Sequence, residues 1–171
     1  MAPLAGPPRG TRSGDIDPAI VTYLMRTGMS ADEIEHLLNR ESGMKGLSGL
    51  SGDTREIPDA ANAGDPKAML AAEILTYRLR TYIGAYSAAL GGLDVLIFTG
   101  GIGENSARVR SEVCARVRHR GIWLDAEKNA SRGAARMIAL EDSPVEAWVI
   151  PANEELNVAR RAMKLLRGQR G

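Results

Sequence analysis

The clearest chemical pattern in this chain lies in residues 95–105, where an apolar run of high β propensity ends in a glycine cluster. A helical stretch follows to about His119. A strand, glycines and a helix start in that order build an anion site from backbone, because glycine admits a phosphate and the first helical amides lack internal partners. A nucleotide phosphate or ribose would suit it. The Gly-Gly-x-Gly spacing matches neither a Walker A loop nor a G-x-G-x-x-G fingerprint, so a tight turn without a ligand is the alternative.

The elements that must position this segment predict an α/β layer. Helix signals follow Asp17-Pro18, the Ser30/Glu33 capping box and Asp65-Pro66, the last running to about Leu90. Further helices are predicted over 106–119 and 154–167. Strands are predicted at 94–99 and 147–150, with a weaker third at 122–124, and residues 43–52 are predicted to be a loop. Alternation of helices and strands favours parallel strands.

The predicted sheet is too small for a complete domain. The apolar centre of strand 94–99 is typical of a strand covered on both faces, yet only two or three strands are available to build such a sheet. No strand precedes the first helix, only an irregular stretch. The pattern therefore indicates the back part of a larger architecture.

Composition excludes several classes of function. The 171 residues carry 22 basic and 21 acidic side chains and few aromatic residues, which disfavours nucleic acid as a partner. No apolar stretch reaches membrane-spanning length, so no membrane partner is expected. The single cysteine, Cys114, excludes an internal disulfide and favours a cytoplasmic location. With Val113 and Val117 beside it on a helix, Cys114 is predicted to be buried and inert.

Four short motifs in order resemble the acetate kinase (acetate/propionate kinase) family. They are GTRSGDIDP at 10–18, SGDTR at 51–55, FTGGIGENS at 98–106 and IPANEEL at 150–156. The resemblance runs from about Pro3 to the last helix and corresponds to the C-terminal portion of such an enzyme. It implies a partial actin-like (ribonuclease H-like) kinase fold, with two to three mainly parallel strands, flanking helices and the first strands of the domain missing. We expect residues 1–14 to be an irregular lead-in and residues 15–171 to be the partial C-terminal domain, without the N-terminal domain.

The resemblance also implies chemistry, namely Mg²⁺-dependent transfer of the ATP γ-phosphoryl to acetate or propionate, giving an acyl phosphate and ADP. Arg12 is the expected transition-state stabiliser and Glu154 the expected magnesium ligand. The expected nucleotide contacts are Asp53, Thr54, Arg55, Gly101, Ile102, Gly103, Glu104 and Asn105. Without the family, each has a plainer interpretation: a surface arginine, an Asx-type turn, or carboxylates that cap helices.

We expect little or no turnover from this chain alone, because only one wall of the cleft would be present. Two alternatives remain open. The first is a non-catalytic module that binds nucleotide or completes a partner, either a second copy or a separate N-terminal half. The second is a non-functional truncated product. One residue departs from the family pattern, which usually has threonine where Ala152 stands. The preference between acetate and propionate is not encoded in these motifs.

Overall fold

The structure, a computed structural model, describes residues 4–50 and 56–168, apart from the side chains of Glu154 and Arg167. The predictions made for Asp53, Thr54 and Arg55 lie outside the described residues. The chain divides into two compact units, Met1–Gly92 and Leu93–Gly171. All four tyrosines belong to the first unit, and both tryptophans, Trp123 and Trp148, belong to the second.

The described part of the first unit is helical. Three of its described helices begin where the sequence predicts, whereas the helices at 43–48 and 56–62 were not predicted. Asp17 and Asp65 each accept a hydrogen bond from an amide of the following turn, with proline in the first turn. Ser30 and Glu33 form the predicted capping box. The left-handed Gly91 ends the last helix. The elements are α1 Pro18–Arg26, α2 Ala31–Arg40, α3 Gly43–Ser48, α4 Glu56–Asn62 and α5 Pro66–Leu90.

The core of the first unit forms where α3 and α4 pack against the long helix α5. Apolar side chains such as Met44, Ile57 and Leu75 are buried there. The predicted loop at 43–52 is wrong in its first part, because residues 43–48 form α3. Burial of Met44 and Ser48, one turn apart on this helix, outweighs the low helix propensity of its glycines and serine.

The second unit is built on a small mixed sheet, with the order β1-β3-β2. Strand β1 pairs with β3 in parallel, as predicted, and β2 pairs with β3 in antiparallel orientation. Its elements are β1 Val95–Phe98, α6 Gly100–Asn105, α7 Ala107–Arg116, a 3₁₀ turn Arg118–Arg120, α8 Ala126–Ala130, β2 Arg136–Met137, β3 Glu146–Val149 and α9 Glu154–Gly168.

Two predictions about this sheet need correction. The third strand is β2, whereas residues 122–124 make only isolated bridges, Ile122 to Val145 and Leu124 to Ala139. The prediction that β1 is covered on both faces is wrong among the described residues. Strand β1 lies at the edge of the sheet, and its Val95 and Ile97 are 43% and 51% exposed.

Two amphipathic helices expose their apolar side chains. Helix α1 buries no residue, and in α9 every residue whose side chain is described is exposed, including Leu156, Met163 and Leu166. A helix with an apolar stripe ordinarily rests that stripe against another element. In the described ranges, no helix combines the length and the hydropathy that crossing a bilayer requires.

Candidate functional site

The loop that carries Arg12 is fixed by its own backbone. The carbonyls of residues 9, 10 and 11 accept hydrogen bonds from the amides of residues 44, 45 and 42, at 2.8, 2.8 and 3.1 Å. The Arg12 carbonyl accepts the amide of Arg9 at 3.1 Å, and the next amide, of Ser13, donates to Leu38 at 2.9 Å. Arg12 is half-buried. Its main chain is therefore tied to the junction between α2 and α3.

Gly43 makes this close approach sterically feasible. Its φ is +62°, a left-handed conformation that favours glycine. A Cβ atom on Gly43 would lie 2.2 Å from the carbonyl oxygen of Arg9 and 2.4 Å from that of Arg12. No side chain can therefore replace the glycine unless the Arg12 loop moves.

Asp15 closes the base of the same loop. Its carboxylate accepts the Gly6 amide at 2.8 Å, the hydroxyl of Tyr82 and the guanidinium of Arg78, while its own amide donates to the Gly6 carbonyl at 2.9 Å. These donors, Tyr82 first, then Gly6 and Arg78, hold the pKa of Asp15 below its usual value. A cavity of about 330 Å³ lies beside this cluster, with Asp15 and Arg78 in its lining.

In the second unit, one carboxylate oxygen joins two strand ends. Glu104 Oε1 accepts the amide of Gly100 at 2.8 Å and the amide of Ala152 at 3.0 Å. Gly100 begins α6 after β1, and Ala152 follows β3. The prediction of free amides at the start of a helix over 106–119 is wrong in detail: residues 100–105 form a separate helix, and an internal carboxylate already occupies its first amide.

The remaining residues of the glycine cluster pack tightly. A Cβ on Gly103 would lie 3.3 Å from the carbonyl carbon of Phe98, so α6 folds back closely over the end of β1. The amide nitrogen of the Asn105 side chain donates to the Gly101 carbonyl at 2.9 Å, and Asn105 is exposed. Gly101 is also exposed and Ile102 half-buried, so a ligand can reach this segment.

Arg110 holds the other end of α6 from within the core. It is 1% exposed, and its guanidinium donates to the carbonyls of Gly103 and Glu104 at 2.8 and 2.9 Å. It also donates to the side-chain and main-chain oxygens of Asn129 at 2.7 and 2.6 Å. Burial, with the positive charge of Arg136 nearby, lowers the pKa of Arg110.

Glu154 begins α9, and the prediction for its carboxylate lies outside the described side chains. Asn153, directly before it, has a φ of +50°, an uncommon conformation for a residue with a side chain. The structure thus brings the glycine cluster and the Asn153-Glu154 backbone to the carboxyl ends of two paired parallel strands. The prediction that Arg12 shares a cleft with them stays a prediction. Among the described residues, no group of three or more His, Cys, Asp or Glu side chains could hold a metal.

Sequence reasoning missed Arg110 and Asp15. A signal for Arg110 was present, because it stands on the same stripe of α7 as Val113, Cys114 and Val117, all of which are buried. An arginine in a buried stripe indicates internal acceptors. Nothing local marks Asp15, whose partners Arg78 and Tyr82 come from a helix more than 60 residues away.

The parallel β–α arrangement, with a glycine cluster and an acidic segment at neighbouring strand ends, belongs to the class of α/β proteins that bind ligands at that edge. A comparison with family models identifies the member of this class. The model described as the acetokinase family matches residues 1–160, so the chain belongs to the acetokinase family.

Curated and solved relatives agree with this assignment. The acetate kinase of Phocaeicola vulgatus is 48% identical over 167 residues, which are 97% of this chain and 42% of the relative. The crystal structure of Porphyromonas gingivalis acetate kinase aligns with a TM-score of 0.87 at 44% identity, covering 97% of this chain and 42% of that one. A propionate kinase from Francisella tularensis aligns with a TM-score of 0.81 at 39% identity, covering 90% and 39%.

The chain therefore spans about two fifths of the length of the relatives that it matches. This coverage agrees with the predicted C-terminal portion of an acetate kinase, and the α/β fold class predicted from sequence is confirmed.

Proposed function

We propose that this chain supplies one wall of an acetate kinase active site, for the reaction ATP + acetate = acetyl phosphate + ADP. Phosphoryl transfer of this kind depends on positioning and charge neutralisation rather than on covalent chemistry by the protein. The observation that supports the proposal most strongly is the family match over residues 1–160, with the glycine cluster and the Glu154 segment at adjoining strand ends. The propionate kinase relative supports a short carboxylate as the acceptor class.

Arg12 is the proposed transition-state stabiliser. A planar guanidinium donates two parallel hydrogen bonds to the equatorial oxygens of the transferring phosphoryl group. A guanidinium stabilises the transition state most strongly when it is already in position and does not have to move during the reaction. The backbone contacts of residues 9–13 with the α2–α3 junction support this role, because they fix the main chain from which Arg12 extends.

The nucleotide contacts are proposed in two segments. Asp53 accepts from ribose hydroxyls, with Thr54 next to it, and Arg55 stacks on adenine. The second segment is Gly101, Ile102, Gly103 and Asn105, with Glu104 among them. Since the first amide of α6 is already bonded to Glu104, the neutral ribose or base suits this segment better than a phosphate does.

Magnesium is the proposed metal, and Glu154 is its proposed protein ligand. The donor set fits, because Mg²⁺ keeps several waters and binds through one or two carboxylates plus substrate phosphates, without a dedicated protein cluster. When bound, the metal would neutralise charge on the phosphates. The left-handed Asn153 and the Ala152 amide bonded to Glu104 set the course of the chain into Glu154.

The proposal is tested by a coupled acyl-phosphate assay on the purified chain, alone and mixed with a separately prepared N-terminal portion of Porphyromonas gingivalis acetate kinase. We expect little or no turnover alone and measurable turnover in the mixture. In the mixture, Arg12→Ala should lower turnover by about 100-fold, whereas Arg26→Ala, an exposed arginine on α1, should not change it. Family-like rates from the chain alone would refute the one-wall proposal, and equal effects of the two substitutions would refute the role of Arg12.

A second candidate function, a non-catalytic module that completes a partner, is supported by the exposed edge of β1 and the exposed apolar side chains of α9. An unpaired strand edge invites another strand. Calorimetry with MgATP separates the possibilities: binding without turnover in the mixture favours the module, and no binding rules out a nucleotide-binding module. A cooperative thermal transition would argue against the alternative of a non-functional product.

A further inference from the structure

We propose that Glu104 is a positioning residue that locks the two β–α junctions of the second unit to each other through a single acceptor oxygen. The inference rests on the proposed function, in which these junctions carry Asn105 and Glu154. This role of Glu104 differs from a nucleotide contact or a simple helix cap, because one of the two amides that donate to its carboxylate, that of Ala152, lies 48 residues away.

The geometry makes Glu104 a bridge. Its Oε1 receives the Gly100 amide at 2.8 Å and the Ala152 amide at 3.0 Å, both within normal hydrogen-bond range. The side chain is half-buried, so water competes for these amides only in part. Gly100 follows the end of β1 by two residues and Ala152 follows the end of β3 by three, so the bridge extends the pairing of the two strands beyond their last ladder bonds.

Both junctions contain left-handed backbone, but only one of them needs support. Gly100 has a φ of +72°, which glycine adopts freely, whereas Asn153, which follows Ala152, has a φ of +50° and carries a side chain. A left-handed residue other than glycine persists when its surroundings hold it in place. The acceptor oxygen fixes the amide next to Asn153 and thereby the direction in which the chain enters α9.

A second contact fixes Glu104 in turn. The buried guanidinium of Arg110 donates to the Glu104 carbonyl at 2.9 Å and to the Gly103 carbonyl at 2.8 Å. The main chain of Glu104 is therefore held from the core, while its side chain reaches toward the strand ends. Both amides donate to the same oxygen of Glu104. The contact therefore requires a side chain long enough to place an acceptor oxygen between them, and it does not require a negative charge.

This distinction can be tested with a crossed pair of substitutions. Glu104→Gln keeps the reach and the acceptor oxygen but loses the charge, and Glu104→Asp keeps the charge but is too short to meet both amides. Glu112→Ala is the control, because it removes an exposed glutamate whose carboxylate pairs with Arg108 on the surface of α7. The measurement is the hydrogen-exchange rate of the Gly100 and Ala152 amides in the full chain by NMR.

We expect Glu104→Asp to speed exchange of the Ala152 amide by about tenfold and to speed exchange of the Gly100 amide as well. In Glu104→Gln, the exchange rates of both amides should stay within about threefold of the wild-type rates. The amides of Glu146 and Ile150, which bond to the carbonyls of Asp94 and Phe98 across the strand pair, serve as references and should not change. The proposal is overturned if Glu104→Gln speeds exchange of the Gly100 and Ala152 amides and Glu104→Asp does not, or if neither substitution does. It is also overturned if exchange of the reference amides becomes faster by the same factor.

Titration with MgADP separates this inference from the function on which it rests. If wild type binds, Glu104→Asp should weaken the affinity by about tenfold, and by more than Glu104→Gln does; the opposite order would overturn the positioning role. If wild type shows no binding, the proposed nucleotide site fails, while the exchange rates still decide whether Glu104 joins the two junctions.

Discussion

The two loops that carry the proposed chemistry are held in different ways. The Arg12 loop in the first unit is fixed mainly by main-chain hydrogen bonds to the α2–α3 junction and by the absence of a side chain at Gly43. The junctions in the second unit are fixed by two side chains, Glu104 and Arg110. Main-chain hydrogen bonds survive most side-chain substitutions within the Arg12 loop, but they are broken when a new side chain at Gly43 fills the space beside the loop. In the second unit, substitution of Glu104 or of Arg110 removes the hydrogen bonds that the substituted side chain makes.

Filling the space at Gly43 should give the largest effect. Gly43→Ala combines a left-handed φ with a Cβ at 2.2 Å from a carbonyl oxygen, so we expect the stability of the first unit to fall by about 3 kcal/mol. Gly49→Ala is the matched control, because Gly49 has a φ of +72° but open space around it, and about 1 kcal/mol is expected. Native-state exchange of the buried Leu75 amide measures both. Equal losses would mean that the close approach to the Arg12 loop does not limit this position.

Removal of the buried guanidinium should rank second. Arg110→Met fills similar volume but leaves the carbonyls of Gly103, Glu104 and Asn129 without their donor, and a loss of about 2–3 kcal/mol is expected. Arg108→Met, which removes an exposed ion pair with Glu112, should cost less than about 1 kcal/mol. Exchange of the buried Val149 amide measures the difference. A small effect of Arg110→Met would mean that water or rearrangement replaces the guanidinium readily.

Asp15 sharpens the comparison, because its carboxylate is a side-chain contact at the base of a loop that main-chain hydrogen bonds otherwise hold in place. Its pKa is lowered in the folded chain, so its stabilising contribution is present above about pH 4, the ordinary value, and is lost as pH falls through the lowered pKa. Asp15→Asn should therefore lower the melting temperature at neutral pH, and the gap from wild type should close at acid pH. A gap that is independent of pH would show that the charge of Asp15 contributes nothing.

The smallest effect is expected at Cys114. Burial raises the pKa of this thiol to about 12 and the side chain is 2% exposed, which confirms the prediction of a buried thiol. Iodoacetamide near pH 8 should therefore leave the folded chain unmodified, while the chain in guanidinium should react quickly. Mass spectrometry of the two samples measures this. Rapid labelling under native conditions would show that the core next to Arg110 opens frequently.

Local signals in the sequence were sufficient for the helix starts and the parallel strands. Asp17-Pro18 and the Ser30/Glu33 box act within one turn, and the apolar runs at β1 and β3 specify strands, although they do not predict that β1 lies exposed at the sheet edge. Helix α3 was missed because it is stabilised by burial of Met44 rather than by propensity. Strand β2 was missed because two residues carry no periodicity.

Site prediction from sequence had a similar limit. The glycine cluster was recognisable because its pattern is continuous, whereas the bond from Glu104 to Ala152 joins residues 48 positions apart. Main-chain donors are invisible in a sequence, since every residue other than proline has one. The capping interpretation placed Glu104 at the start of the helix that follows it, whereas its carboxylate accepts the amides of Gly100, before it, and of Ala152.

The separation of aromatic types between the units has a practical consequence. Because both indoles lie in Leu93–Gly171 and all four phenols lie in Met1–Gly92, the intrinsic optical signals of the chain provide a distinct reporter for each unit without any label. Excitation at the red edge of the indole band follows the half with Glu104, and phenol absorbance follows the half with Arg12. Noncoincident changes in these two signals during denaturation would show directly that the halves unfold as separate cooperative blocks.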